Sequence, residues 1–154
     1  MKMEAGKYFV IEGHDGTGKS TQVEMLADYL HEKGIGTFVT HEPGGIEVAD
    51  NIRDIIKNAN LDKDAYTDTL LFTASRHEIW RRAKQELSLG KYVLSARNYT
   101  STLSYQGYGD GLDLNLIYDL TERFVGSDYM HPDGTVVLVA EDEIRKIRIN
   151  DRHR

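Results

Sequence analysis

Gly13-His14-Asp15-Gly16-Thr17-Gly18-Lys19-Ser20 is spaced G-x-x-x-x-G-K-S. That spacing reads as a phosphate-binding P-loop. Its glycines let the backbone curl so that successive N–H groups face an anion. The lysine reaches phosphate oxygens, and the serine hydroxyl can ligate Mg²⁺. The flanks agree. Tyr8-Phe9-Val10-Ile11 is a short apolar run that suits a buried strand, and Thr21-Gln22-Val23-Glu24-Met25-Leu26 opens an amphipathic helix. The positive end of that helix adds to the pull on an anion. The expected phosphate-binding set is Gly13, His14, Asp15, Gly16, Thr17, Gly18, Lys19, Ser20 and Thr21, with Ser20 as the metal ligand. A bare glycine turn between strand and helix is the alternative.

The bulk numbers narrow the class. A chain of 154 residues fits one domain, residues 1–154, and 40% hydrophobic with 29% charged suits a globular protein. The formal charge of −6 argues against a general nucleic-acid binder, which needs a basic surface. With no cysteine, disulfides, thiolate metal sites and cysteine nucleophiles are excluded. Residues 1–7 hold no apolar signal region, and no stretch reaches membrane-spanning length, so a cytoplasmic protein is expected.

Outward from the loop, strands and helices alternate. The first helix is predicted over 19–31, ended by Gly34 and Gly36, and Thr37-Phe38-Val39-Thr40 is a second strand. His41-Glu42-Pro43-Gly44-Gly45 follows at a strand's C-terminal end, the edge where open α/β sheets bind ligands. It could equally be a plain turn. Val48, Ile52, Ile55 and Ile56 mark a second helix; Arg53 lies beside its apolar face and, taken alone, reads as solvated. A third helix is predicted over 64–89. Phe72, Arg76 and Trp80 share one line on it, either a ligand-holding face or core with a snorkelling Arg.

Gly90 stops that helix. Residues 91–95 form a third strand that delivers Ala96-Arg97-Asn98, placing Arg97 beside the P-loop if the sheet is parallel. A helix with Ser101, Thr102, Tyr105 and Gln106 is predicted to break at Gly107 and Gly109, and another runs over 113–125. Residues 135–139 are continuously apolar, as in a strand buried on both faces. The last helix turns basic at Arg145, Lys146, Arg148, Arg152 and Arg154. The fold class is α/β, a parallel sheet of about four strands flanked by helices on both faces, the P-loop NTPase arrangement.

A P-loop establishes a nucleotide phosphate, not a reaction. No N-K-x-D element for reading guanine is present. A small kinase is the leading class.

Here the sequence resembles the thymidylate kinases. The resemblance lies in residues 9–22, in Thr40-His41-Glu42-Pro43-Gly44-Gly45, in residues 70–76, in residues 101–107, and in Pro132-Asp133 before an apolar strand, in family order. It implies phosphorylation of dTMP to dTDP by ATP with Mg²⁺, in a homodimer that binds neither nucleic acid nor membrane. Catalytic roles are implied for Lys19, Arg97 and Asp15. The implied dTMP site is Asp15, Glu42, Pro43, Arg53, Phe72, Arg76, Arg97, Ser101, Tyr105 and Gln106. Phe72 would stack on thymine, Arg76 would bond a base edge, and Ser101 and Gln106 would help read the base. Tyr105 would crowd a ribose 2′ position, Asp15 would accept from the 3′-hydroxyl, and Arg53 and Arg97 would hold the phosphate. No Arg lies inside the loop, so the basic C-terminal segment is the candidate lid, through Arg148, Arg152 or Arg154; a solvated helix end is the alternative.

The chain also departs from the family pattern. Ala96-Arg97-Asn98 stands where Asp-Arg-Tyr is usual, Ser75 where Asp is common, and His41 where Arg is common. The family runs on past the lid, whereas this chain stops at Arg154, which would make residues 136–139 a bare, apolar sheet edge and leaves open a partial chain, a minimal variant or a surface covered by a partner. A weakly active or non-catalytic nucleotide-binding relative is therefore the second expectation, and a different deoxynucleotide or deoxynucleoside kinase the third.

Overall fold

Successive residues of a strand point to opposite faces, and the first strand divides its side chains accordingly. Tyr8 and Val10 pack with Trp80, Ala83, Val93, Val125 and Tyr129 on one face. Ile11 packs with Val23, Ala27, Leu30, Leu94 and Ala96 on the other. The elements are β1 (Tyr8–Gly13), α1 (Lys19–Glu32), β2 (Thr37–His41), α2 (Glu47–Lys57), α3 (Ala65–Ser88) and β3 (Tyr92–Ala96), then α4 (Tyr99–Thr102), which runs on into a π-helical segment (Leu103–Gly109). α5 (Leu114–Phe124), α6 (Ser127–Met130), β4 (Gly134–Leu138) and α7 (Asp142–Arg152) complete the chain. This computed structural model describes residues 5–152, the Arg152 side chain excepted. The sheet is fully parallel, in the order β2-β3-β1-β4. It is the helix-flanked α/β sheet expected from the sequence. Among the described residues no helix is long and apolar enough to cross a membrane.

Local signals set the element ends. The Asp64 carboxylate accepts from the Thr67 N–H at 2.7 Å and caps α3, while Gly90, at φ 77°, turns the chain out of it.

Of the two readings open for Trp80, core packing holds: it sits 4.9 Å from the Tyr8 ring and donates to Asp128, because α3 turns that line into the core beyond Arg76. Gly107 does not break its helix, which runs on and ends at Gly109. The backbone widens, with the N–H of Asp110 bonding the carbonyl of Tyr105 five residues back. A Cβ at Gly107 would lie 2.5 Å from Leu114 Cδ2, so a larger residue there displaces the end of that side chain. Finally, β4 is an edge strand and not a strand buried on both faces; Val136 and Val137 are 56% and 64% exposed.

Candidate active site

Parallel register brings three strand ends level. Ile11 lies opposite Ala96, and Ala96 opposite His41. The residues that follow, Glu12-Gly13, Arg97 and Glu42, therefore leave the sheet along one edge. The P-loop crosses this edge. Gly13, Gly16 and Gly18 hold φ of 143°, 83° and 96°, which side chains other than glycine rarely adopt. At Gly16 a Cβ would also come within 2.7 Å of the Arg145 carbonyl, so α7 packs directly on the loop.

Lys19 opens α1 and folds back over the loop, donating to the carbonyls of Gly13 and His14, both at 2.8 Å. Asp15, Gly16, Gly18, Lys19 and Ser20 line a cavity of about 240 Å³ with His41, Glu42, Arg53, Ala96 and Arg97. Gly13, His14 and Thr17 face a larger groove beside β4, and Thr21 is exposed on α1 and lines neither space. From α7, Arg145 donates to the Asp15 carbonyl at 3.0 Å and Arg148 to that of Gly16 at 3.2 Å. Arg148 thus reaches the loop as expected of a lid candidate, and Arg145 joins it. The Arg152 side chain and Arg154 lie outside the described residues.

A second cavity, of about 280 Å³, adjoins the first. Asp15, Glu42, Pro43, Arg53, Phe72, Arg76, Arg97, Ser101, Tyr105 and Gln106 all line it, the whole set expected for the acceptor. Lys57, Asn98 and Thr102 line it as well. Ser101 and Tyr105, like Thr102 and Gln106, are spaced four apart along α4 and its π-helical continuation, which turns both pairs inward. Asp15, Glu42, Arg53 and Arg97 line both cavities and form the common wall.

The polar groups are ordered by buried partners. Arg76 is not a snorkelling cation: it is 2% exposed, and its Nε donates to Glu42 Oε2 at 2.8 Å while Nη2 donates to Thr102. Nη1 is buried with no hydrogen-bond partner among the described residues, so its two N–H groups meet no protein acceptor there. Burial pushes the Glu42 carboxyl above the usual carboxylate range, against Arg76 and the Tyr129 hydroxyl, which pull it down. Tyr129 donates to Glu42 Oε1 at 2.7 Å, completing that carboxylate. Arg53 is half-buried rather than solvated and donates to the Pro43 carbonyl. Arg97 pairs with Asp15 at 2.5 Å, so a loop carboxylate partners this guanidinium even though position 96 is alanine.

Sequence reasoning missed Glu12. Its buried carboxylate accepts from the Asn98 N–H at 2.9 Å, from the Thr100 and Ser101 hydroxyls and from the Gly13 N–H. It ties the first glycine of the loop to the start of α4, on either side of Arg97. The available signal was an acid ending an otherwise apolar strand. Tyr129 and Lys57 were missed too.

Magnesium fits this donor set. Among the described residues no group of three or more metal-ligating side chains could hold an ion alone. An ion that keeps waters and takes oxygens from a nucleotide's phosphates needs only one or two protein oxygens. The exposed Ser20 hydroxyl and the Asp15 carboxylate line the same cavity as Lys19.

Comparisons with known proteins point to one family. The family model described as thymidylate kinase matches residues 11–154. A thymidylate kinase of Clostridium novyi (strain NT) is 39% identical over 150 residues, 96% of this chain and 72% of that protein. One from Prosthecochloris aestuarii is 41% identical over 142 residues, covering 92% and 63%. The chain therefore spans about two thirds of the length of these relatives. The crystal structure of thymidylate kinase from Ehrlichia chaffeensis superposes with a TM-score of 0.81 at 33% identity, over 96% of this chain and 83% of that one.

Proposed function

The chain belongs to the thymidylate kinase family, and from that premise we propose that it transfers the γ-phosphoryl group of ATP to dTMP, giving dTDP and ADP. The observation that carries this reading is the wall of Asp15, Glu42, Arg53 and Arg97 shared by the phosphate cavity and the acceptor cavity. Donor and acceptor meet across it.

A dTMP phosphate oxygen attacks the γ-phosphorus, and the bond from that phosphorus to the β,γ-bridging oxygen breaks. The acceptor is already anionic, so no protein base removes a proton. Catalysis then rests on positioning and on charge. Arg53 and Arg97 hold the acceptor phosphate, and Asp15 orients Arg97 and accepts from the sugar 3′-hydroxyl. Lys19 moves from the loop carbonyls onto the β- and γ-phosphate oxygens. Phe72 stacks on thymine, and Arg76 bonds its edge. Ser101 and Gln106 help read the base, and Tyr105 closes over the sugar. Arg148, with Arg145, brings positive charge from α7 to the transferring group. The Ser20 hydroxyl would help hold a magnesium ion, which would supply charge to neutralise what develops on the transferring phosphoryl group.

The enzyme works as a cytoplasmic homodimer. An apolar groove of about 650 Å³ between α2 and α3, lined by Val48, Ile52, Leu70, Ala74 and Phe124, supports self-association.

A coupled assay with ATP and Mg²⁺, offering dTMP, dUMP, dCMP, dGMP and thymidine in turn, tests the reading. Turnover concentrated on dTMP is expected, and turnover of thymidine in its place overturns it. Lys19→Ala abolishes turnover while circular dichroism stays native. Turnover at the unsubstituted rate in that variant removes the loop from the chemistry.

A further inference from the structure

We propose that Lys57 is a third cation on the acceptor's phosphate, a residue that makes the acceptor cavity select a nucleoside monophosphate over the nucleoside. This rests on the acceptor reading above. Arg53 and Lys57 stand four residues apart on α2 and so share a face. Both line the acceptor cavity. Unlike Arg53, Lys57 does not line the cavity beside Lys19 and Ser20. Its charge is therefore directed at the acceptor and not at the ATP phosphates.

The neighbouring cations are already engaged. Arg53 donates to the Pro43 carbonyl, and Arg97 is held by Asp15 and Ser101. The Lys57 ammonium makes no hydrogen bond or salt bridge among the described residues. Lys57 is exposed, but the desolvation it does have, and then the Arg53 charge, push its ammonium below the ordinary value, against the pull of Asp15 and Asp54. Two like charges one helical turn apart are mutually unfavourable. A phosphate bearing about two negative charges, settling between them, removes that repulsion and gives the ammonium three donors' worth of acceptors. A lysine serving only as solvated helix end would leave the preference for phosphate untouched.

Calorimetry of the unsubstituted protein, Lys57→Ala and Lys57→Arg with dTMP and with thymidine decides the matter. In Lys57→Ala, dTMP affinity falls about tenfold and thymidine affinity stays within about twofold, the scale of one charge-assisted contact. Lys57→Arg regains most of the loss. In steady state the Lys57→Ala KM for dTMP rises while that for ATP is unchanged. Undiminished dTMP affinity in Lys57→Ala, or an equal loss for thymidine, overturns the role. An unsubstituted protein that does not prefer dTMP to thymidine overturns the acceptor reading itself, and this inference with it.

Discussion

Arg97 is the one non-glycine residue with positive φ among those described, at 79°. Such a backbone costs about 1–3 kcal/mol and persists where surrounding contacts over-determine it. Here the Arg97 N–H bonds the Ile11 carbonyl, the guanidinium holds Asp15 and Ser101, and its carbon lies 5.6 Å from the Tyr105 ring centre. The strain is retained because it aims the charge at the wall between two cavities. Across the acceptor cavity, Phe72 is half-buried one turn before Arg76. Its Phe72→Ala variant weakens dTMP binding by about 1–3 kcal/mol, the worth of the lost stacking and burial; unchanged affinity by calorimetry would make Phe72 a core residue only. His41 contributes to the pH dependence of stability. Burial, and then Arg53, lower its imidazole below the ordinary 6.5, with Asp50 opposing and Lys57 adding to the fall. The unfolded chain therefore holds the proton more tightly than the folded one. Stability is unaffected above 6.5 and is lost as pH falls from there through the depressed folded value. Denaturant titrations at about pH 7.5 and 5.5 should show a loss that His41→Gln reduces. An identical loss in both proteins assigns the effect elsewhere.

At the scale of elements, α7 lies across the P-loop through Arg145 and Arg148, and Gly16 has no room for a side chain beneath it. If Arg148 supplies charge to the transferring group, Arg148→Ala lowers kcat about a hundredfold, as loss of one transition-state donor does, and leaves dTMP affinity intact. Steady-state kinetics beside calorimetry check this, and a fall in dTMP affinity without a fall in kcat sinks it. What was legible in the sequence was local. Strand, loop and helix follow one another within residues 8–32, and α3 announces itself by its Asp64 cap and terminal Gly90. Glu12 and Tyr129 were hidden because their partners lie 86 and 87 positions away, beyond any periodic pattern. The π-helical segment was hidden because Gly107 looks like a breaker when its neighbours in space are unknown. The apolar run of β4 reads the same at an edge as in the middle of a sheet, so the run by itself does not tell the two apart. Arg76 was placed on the right face but read too near the surface, since only Glu42, distant in sequence, lets it sink.

On the whole molecule, scattered exposed apolar residues are ordinary, but a contiguous set is not. Val48 of α2, Leu70 of α3 and Phe124 of α5 are 50%, 56% and 57% exposed and border one groove. A two-fold axis through such a face pairs it with itself, so each apolar residue is buried twice per assembly. Leu70 is 56% exposed, so pairing buries about half a leucine, about 0.8–1.7 kcal/mol, and two copies about 1.7–3.4. At 1.4 kcal/mol per tenfold, Leu70→Asp should raise the dimer dissociation constant about 10–250-fold before any cost of burying the new charge. The face lies away from the acceptor cavity, with which it shares no lining residue. dTMP affinity should therefore survive the substitution while light scattering falls from twice 17.5 kDa to 17.5 kDa. A mass of 17.5 kDa already in the unsubstituted protein refutes the dimer. A dimer that persists in Leu70→Asp places its interface elsewhere, and the exposed valines of β4 are then the face to substitute next.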